Sequence, residues 1–582
     1  PTPEYTNSNG ERVKQKFSCG ENCAYCPNEP EIRLYLTVTS IKSNTIEVST
    51  EEDIHLIRVL TEIIHKHKHY EVMQCSQFTN NTFTIELVQK ESLPFQEGET
   101  IIGIKGEQPR SYLSTEPAVL RANRNNFDAV LQIYDRADAL ENCGHIVDKI
   151  EILVLGGTWD HYPLGYQEEF IRDIYYGVNT LNTKKERKRL SLEEEIQLSE
   201  KSKKRLIGLT LETRPDCVTM KQVHKMRKMN VTRIQLGIQH IDDDVLTEIK
   251  RGCYIEDTIK GTDLWKRNGG KVDWHLMPDL PGSSIEKDIQ MFQKIFGTHS
   301  IQEIRKNYYK YDLKHPGLQA DQLKIYPCST VDWTEIKKWY ENGTYKPYSE
   351  KEEDLIKVIA YVKNNIFPWI RLNRIIRDIP NQNIIGGNQN VNLRQKLLSR
   401  EDIHCQCIRC REVKDKNTDI SKAELFIREY NGINSTEYFL SYESPDNETL
   451  YGFLRLRINH SNDYLIQSSL YDCALIRELH VYGSIREHKT NLNNKTNKSA
   501  QHMGFGKKLL LEAEKIVIQK KIPKIAIISG VGVREYYEKN GYSLIDNYMI
   551  KNFKYLDWVE IVLILSFCIV FLSLLYDIYR LL

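Results

Sequence analysis

Three groups of residues in this sequence combine types and spacings that can do chemistry. Cys19, Cys23 and Cys26 form a CxxxCxxC loop with an aromatic, Tyr25, just before the last cysteine. Thiolates so spaced hold three irons of a [4Fe-4S] cluster and leave the fourth iron open; the alternative, a zinc knuckle, would want a fourth ligand nearby. Cys405, Cys407 and Cys410, with His404 beside them, offer three or four soft donors in a tight loop, a set suited to structural zinc, with reduced, unliganded thiols as the alternative. The third group is Gln501-His-Met-Gly504-Phe-Gly506, directly ahead of an amphipathic helical pattern from Gly506 to Lys520. Glycines there let backbone N–H groups approach a pyrophosphate at a helix N-terminus, where the dipole favours negative charge. A Gly-x-Gly is weak alone. It gains strength from the preceding strand pattern Glu478 to Gly483 and the later stretch Ile527 to Tyr542. In that stretch Tyr536 or Tyr537 can hydrogen-bond a thioester or its thiolate leaving group, or serve as a core aromatic.

Elements must position these groups. From about Val119 to about Trp369 a short apolar strand is followed by a helical pattern five times, with strands in KIEILVLGG, LIGLTLETRP, RIQLGIQH, KVDWHLMPDLPG and ADQLKIYPC. That repeat predicts an α/β fold with a parallel, partial TIM-like barrel, its chemistry at the C-terminal ends of the strands. Gly156, Gly157, Glu212, Arg214, Gln239, His275 and Asp279 stand at those ends. The organisation reads as a cluster loop at 1–30, a β-rich insertion at 31–105 with a helix around Ile54 to Lys66, the barrel at 106–370, and a basic linker carrying the second cysteine group at 371–415. A second α/β domain occupies 416–553 and an apolar tail 556–582. Residue 1 is Pro, so the start reads as processed or cut.

Length and composition bound the rest. A chain of 582 residues implies two or three cores. With 40% hydrophobic and 27% charged residues it is a folding sequence. The net charge of +1 names no partner, and the runs Lys184–Arg189 and Lys201–Arg205 read first as a solvated face and second as a phosphate-binding surface. Thirteen cysteines without an N-terminal apolar leader point to a reducing compartment. Val559 to Tyr576, flanked by Trp558 and containing Glu560 near one edge, is long enough to cross a bilayer as a single C-terminal transmembrane helix. Such a tail anchor would hold the preceding domains on the cytosolic face of the mitochondrial outer membrane or endoplasmic reticulum, a topology favoured by Lys551 and Lys554 against Arg580.

GHIVDKIEILVLGGT, LTLETRPD, QLGIQH, HLMPDLPG, RDIP, CIRCREV, FLSYESPD, RELHVYG, GFGKKLL and ISGVGVREYYEKNGY together resemble the catalytic subunits of Elongator, over roughly residues 1–30 and 105–553. The resemblance implies a radical-SAM domain fused to a GNAT acetyltransferase domain. Its chemistry cleaves S-adenosylmethionine to make a radical on the acetyl group of acetyl-CoA, which adds to carbon 5 of the wobble uridine in tRNA. It implies that Cys19, Cys23 and Cys26 hold the cluster, that Gly156 and Gly157 approach the amino-acid part of S-adenosylmethionine, and that Lys149 contacts acetyl-CoA from the radical domain. Glu478, Leu479, His480, Val481, Gln501, Gly504, Phe505, Gly506, Lys507 and Tyr537 become the acetyl-CoA contacts. Elongator-type accessory subunits and an electron donor are implied partners. The sequence departs from the family in its shorter first cysteine gap, in the insertion, and in a basic tRNA-gripping segment that does not precede the loop. Two rivals stand: a protein lysine acetyltransferase with Glu478 as general base, and a membrane-tethered scaffold for tRNA or Elongator partners.

Overall fold

The computed structural model describes residues 4–7, 9–14, 19–51, 57, 60, 62–77, 81–88, 93–106, 110–297, 305–390, 392–414, 419–482, 504–553 and 572. A hairpin of β1 (Glu4–Thr6) and β2 (Arg12–Lys14) packs on the helix Leu164–Thr180, whose Gly165 leaves no room for a side chain: a Cβ there would lie 2.2 Å from the Thr6 carbonyl oxygen. The cysteine loop follows.

Strands β3 (Ile32–Lys42), β4 (Thr45–Ser49), β5 (Glu62–His65), β6 (Lys68–Gln77), β7 (Thr82–Leu87) and β8 (Thr100–Lys105) close a barrel in the order β3-β4-β7-β6-β5-β8. Alternate residues such as Leu34, Leu36 and Val38 fill its interior, and closure removes the free edges a small sheet would expose. The helix expected around Ile54 to Lys66 gives way to β5 over its C-terminal part. There Ile63 and His65 point inward, and Lys66 and His67, both at positive φ, make the two-residue turn into β6. Pairing across the barrel outweighs the local three-residue spacing.

The main sheet contains β9 (Lys149–Leu153), β10 (Arg205–Thr213), β11 (Arg233–Gln239), β12 (Lys271–Leu276), β14 (Gln322–Ile325) and β15 (Arg371–Arg374), in the order β15-β14-β12-β11-β10-β9 with every neighbouring pair parallel. This is the expected parallel partial barrel. Its sixth strand, β15, comes from the stretch read as linker. Ile234, Leu236, Val272, Trp274, Leu323 and Ile325 pack in one core with the covering helices. The other face is polar, because register aligns Glu212, Gln235, Asp273, Gln322 and Arg371 in one rung across five strands. Parallel strands covered on both faces are near-continuous apolar runs; period-two alternation here means that one face lines a cavity.

Strand β13 (Tyr308–Tyr311) lies between β12 and β14 in the chain yet pairs in parallel with β16 (Glu424–Gly432). It thereby extends the second sheet, completed by β17 (Ser435–Glu443), β18 (Leu450–Asn459), β19 (Cys473–Val481), β20 (Lys524–Ile527), β21 (Ser543–Ile545) and β22 (Tyr548–Asn552). Only Cys473 to Ile476 of β19 pair with β20, in parallel, so Arg477 to Val481 run on past it. Among the described residues no helix is long and apolar enough to cross a membrane; the apolar run Val559 to Tyr576, Leu572 excepted, lies outside them.

Candidate functional site

The cysteine loop is tied to the barrel from several sides. Ala24 N–H donates to the Ile249 carbonyl at 2.9 Å, and the Ala24 carbonyl accepts from Glu335 and Ile336, the first residues of the helix Glu335–Glu341. Each thiol has a polar neighbour. Arg251, itself buried and bonded to the Gly237 carbonyl, donates to Cys23 Sγ at 3.6 Å; Thr158 donates to Cys19 Sγ at 3.6 Å; Ser111 Oγ is 3.2 Å from Cys26 Sγ. Burial pushes the Cys26 thiol up to about 11 despite its Ser111 partner, so thiolate there needs a positive charge, as iron would supply.

The three cysteines line one end of a cavity of ≈ 560 Å³ over the polar face of the main sheet. Of the strand-end candidates, Gly157, Glu212, Arg214, Gln239 and His275 line it. Gly157 has φ +76°, and Tyr162 caps the Gly156 carbonyl at 2.8 Å. Gln239 holds a left-handed φ of 67°, uncommon outside glycine and worth attention at a site. Burial raises the Glu212 carboxyl and drives His275 well below the ordinary histidine range, Lys324 adding to the latter; Tyr112 donates to Glu212 at 2.9 Å. Asp279 is outside this cavity. Its carboxylate accepts from the Tyr348 and Ser349 amides at 2.8 and 2.9 Å, fixing that loop, although burial pushes it up to about 7. Sequence reading missed Arg233, Gln235, Asp273, Gln322, Lys324 and Arg371, all on the cavity wall. Alternation within RIQLGIQ and KVDWHL is the signal that reveals them.

Lys149 is exposed at the start of β9, two residues below Glu151 on the same side of that strand, and lines a separate apolar groove. Glu478 is bound by Arg455 at 2.9 Å and faces Lys271 at 3.4 Å. Burial alone would raise its carboxyl, but Lys271 and Arg455 hold it down to about 2, a pairing that speaks against the general-base reading, because a carboxylate so held is a weak proton acceptor near neutral pH.

In the second domain Leu479 and Val481 are half-buried, and His480 packs 4.4 Å from the Tyr482 ring. Gly504, at φ +70°, precedes the helix Phe505–Gln519, with Lys507 exposed in its first turn. Gly506 lies against Tyr536: a Cβ on it would be 2.8 Å from the Tyr536 hydroxyl. Tyr537 is buried in the core, T-shaped to Tyr536 and Tyr542. Gln501 lies outside the described residues.

Cys405, Cys407 and Cys410 bring their sulfurs within 4.8 Å of one another. Cys405 and Cys407 are raised, and their hydrogen bonds to Cys410, with Lys363 and Arg394 near, hold it far below the ordinary thiol. His404 is exposed and does not join the group. The basic runs are partly spoken for, since Lys184, Arg187, Arg189 and Lys204 face Asp138, Glu195, Asp173 and Glu141, which favours the solvated-face reading.

Residues 126–295 match the Radical SAM superfamily and 320–402 the Radical_SAM C-terminal domain. A tRNA uridine(34) acetyltransferase of Methanocaldococcus infernus is 39% identical over 459 residues, 77% of this chain and 80% of that protein. Elongator complex protein 3 of Schizosaccharomyces pombe is 35% identical over 450 residues, 76% of this chain and 77% of its own. The solved structure of the archaeal M. infernus Elp3 lacking residues 1–46 matches with a TM-score of 0.65 and 38% identity, covering 75% of this chain and 97% of that one. At this identity and coverage the chain belongs to the family of tRNA uridine(34) acetyltransferases and Elongator complex protein 3.

Proposed function

We propose that this chain modifies carbon 5 of the wobble uridine of tRNA, in a carboxymethyl-type reaction that draws on S-adenosylmethionine and acetyl-CoA. One observation carries the reading: a single cavity joins the three cysteines to the polar face of the sheet and extends to Arg371, whose guanidinium reaches Tyr482 of the second domain at 2.9 Å.

The residues fit the implied groups. Three thiols on one short loop, each with a polar neighbour, suit a cluster with one open iron. When bound, cluster and S-adenosylmethionine supply a 5'-deoxyadenosyl radical. Around them Arg251 steadies the Cys23 sulfur, the Gly156–Gly157 backbone leaves room for an amino-acid moiety, and the enclosing wall keeps water from a reactive species. Gly504 to Lys507 open the helix N-terminus toward a coenzyme pyrophosphate, the part of β19 from Glu478 to Val481, paired with β18 on one side and running past β20 on the other, leaves backbone groups for its pantetheine arm, and Tyr536 and Tyr537 flank the acetyl end. Lys149 meets acetyl-CoA from the radical domain, a role supported by the resemblance. Zinc at Cys405, Cys407 and Cys410 is supported by their convergence. Elongator-type accessory subunits and an electron donor are supported by the relatives' names and the reductive chemistry. A membrane tether rests on the composition of Val559 to Tyr576 alone. The pinned Glu478 disfavours the lysine acetyltransferase reading.

The test is anaerobic: iron and sulfide are loaded, dithionite, S-adenosylmethionine, acetyl-CoA and tRNA are added, and 5'-deoxyadenosine and modified uridine are measured by mass spectrometry. Both products are expected, and both vanish in Cys23→Ala. Acetyl transfer to protein lysines without either product would put the rival in place of this reading.

A further inference from the structure

The cavity floor carries polar atoms that the described residues leave without partners. Asp273 Oδ1, Gln235 Oε1 and His275 Nε2 are buried and make no hydrogen bond among the described residues, although all three residues line the cavity. They sit side by side: Gln235 is in register with Asp273, and two residues on, Gly237, His275 and Lys324 follow in the next rung. The other Asp273 oxygen is saturated, Oδ2 accepting from Gln235 Nε2 and Asn373 Nδ2 at 3.2 Å each. That bond fixes the amide so that Gln235 Oε1 is the atom left over. Lys324 Nζ stands 3.8 Å from Asp273 Oδ2, too far for a hydrogen bond. A buried acceptor without a donor costs about 1–3 kcal/mol, so the Asp273 Oδ1 acceptor beside the Lys324 cation marks a place that is completed by a ligand presenting an N–H next to a carbonyl.

We infer that this floor holds the Watson–Crick edge of the uracil ring, with N3–H donating to Asp273 Oδ1 and a ring carbonyl accepting from Lys324 Nζ. The inference rests on the proposed uridine substrate and adds the residues that select the base. Cytosine fits poorly, because its N3 is an acceptor and would set a lone pair against Asp273 Oδ1 while its amino group faced the Lys324 ammonium. Gripped by this edge, the ring turns its opposite side, carbons 5 and 6, away from the floor and toward the rest of the cavity, where Cys19, Cys23 and Cys26 lie. In Asp273→Asn the side-chain oxygen must stay with the two amide donors, which leaves Nδ2, a donor, facing the cavity.

The test uses the whole chain, loaded with cluster, and anticodon stem-loop RNAs bearing uridine, 3-methyluridine or cytidine at the modified position. 5'-Deoxyadenosine and base adduct are quantified separately. Uridine should be modified, while 3-methyluridine and cytidine should react at least about 100-fold more slowly, as expected when a site's buried polar groups lose their partner. Asp273→Asn should still form 5'-deoxyadenosine and lower the uridine-to-cytidine ratio at least about tenfold. If 3-methyluridine reacts like uridine, or if Asp273→Asn keeps the wild-type ratio, the inference is overturned while the proposed function stands. If Asp273→Asn fails to fold, the 3-methyluridine comparison decides on unaltered protein. If uridine RNA yields no adduct with the wild-type chain, the proposed function falls and this inference with it.

Discussion

Gly157 and Glu478 are positions where the identity of one residue decides what a site can do. An alanine Cβ at Gly157 would lie 3.3 Å from Ser111 Oγ, the hydroxyl beside Cys26, on a backbone at φ +76°. The left-handed conformation costs a non-glycine residue about 1–2 kcal/mol, and relief moves Ser111 off the sulfur or closes the space beside the loop. Gly157→Ala should therefore keep its cluster, read as iron content, but bind S-adenosylmethionine about tenfold more weakly by calorimetry; unchanged affinity would remove Gly157 from the site. Glu478 makes a prediction of opposite kind. Its folded value of about 2 lies below the ordinary carboxylate range, so the stability it contributes is present above about pH 4.3 and is lost as the pH falls toward 2. Between pH 6 and 9 it neither gains nor loses a proton. Under the proposed function, uridine modification by Glu478→Gln should accordingly change in level, through loss of the Arg455 and Lys271 pairing, and not in the shape of its pH profile. A wild-type inflection near neutrality that disappears in the variant would restore Glu478 as a base.

Elements, rather than residues, set the seam between the two domains. Gly530 belongs to a stretch legible as part of a coenzyme-binding pattern, yet its immediate neighbour is strand β10: a Cβ would be 2.0 Å from the Ile207 carbonyl oxygen, and one on Gly532 would be 2.7 Å from Arg205 Cβ. Backbone cannot yield as a side-chain tip can. Gly530→Ala should lower stability by at least about 1–3 kcal/mol, as overpacking does, visible as a lower Tm in calorimetry; a Tm equal to wild type would mean that this loop rearranges freely. The parallel strands themselves were legible because each is a short apolar run ahead of a helical pattern, and the cysteine loops were legible because ligand spacing is local. β13 and β15 were not, since four residues of Tyr308–Tyr311 or Arg371–Arg374 become strand only by pairing with partners far away in the chain. The cavity floor was half legible: attention to polar strand ends found Glu212 and His275, whereas Gln235, Asp273 and Lys324 required reading alternation through the whole strand. Asp279 has the right residue type at a strand end, but its oxygens are spent on the Tyr348 and Ser349 amides.

At the scale of the molecule, the two sheets are joined by buried charge. Arg477 on β19 grips Asp321, just ahead of β14, with two bonds of 2.7 Å and also reaches Glu437 at 2.8 Å, while Lys266 and Arg457 pair with Glu437 at 2.9 and 3.0 Å and Arg455 stands 3.7 Å from Asp321. Asp321, Glu437, Arg455, Arg457 and Arg477 are all essentially inaccessible to water. Such a network is poor evidence for net stability, because desolvation offsets its attraction, but removing one member strands the rest and costs about 3–5 kcal/mol. Burial opposes ionisation of both acids, yet Arg477 with Arg455 holds Asp321 far below the carboxylate range, and Arg477 with Lys266 and Arg457 holds Glu437 down to about 2. The coupling is thus complete above about pH 4.3 and fails as the pH falls through the acid range toward 2. Asp321→Asn should imitate that acid state at neutral pH. Since the network ties the radical-SAM sheet to the second sheet across their seam, the wild-type chain should melt near neutrality in one calorimetric transition, whereas Asp321→Asn should show two, the earlier belonging to the domain that loses its partner. In wild type the same splitting should appear on acidification. One transition at the wild-type temperature in Asp321→Asn would mean that the shared strand β13 and the glycine seam at β10, not the buried ions, hold the two halves in the register that a common cavity requires.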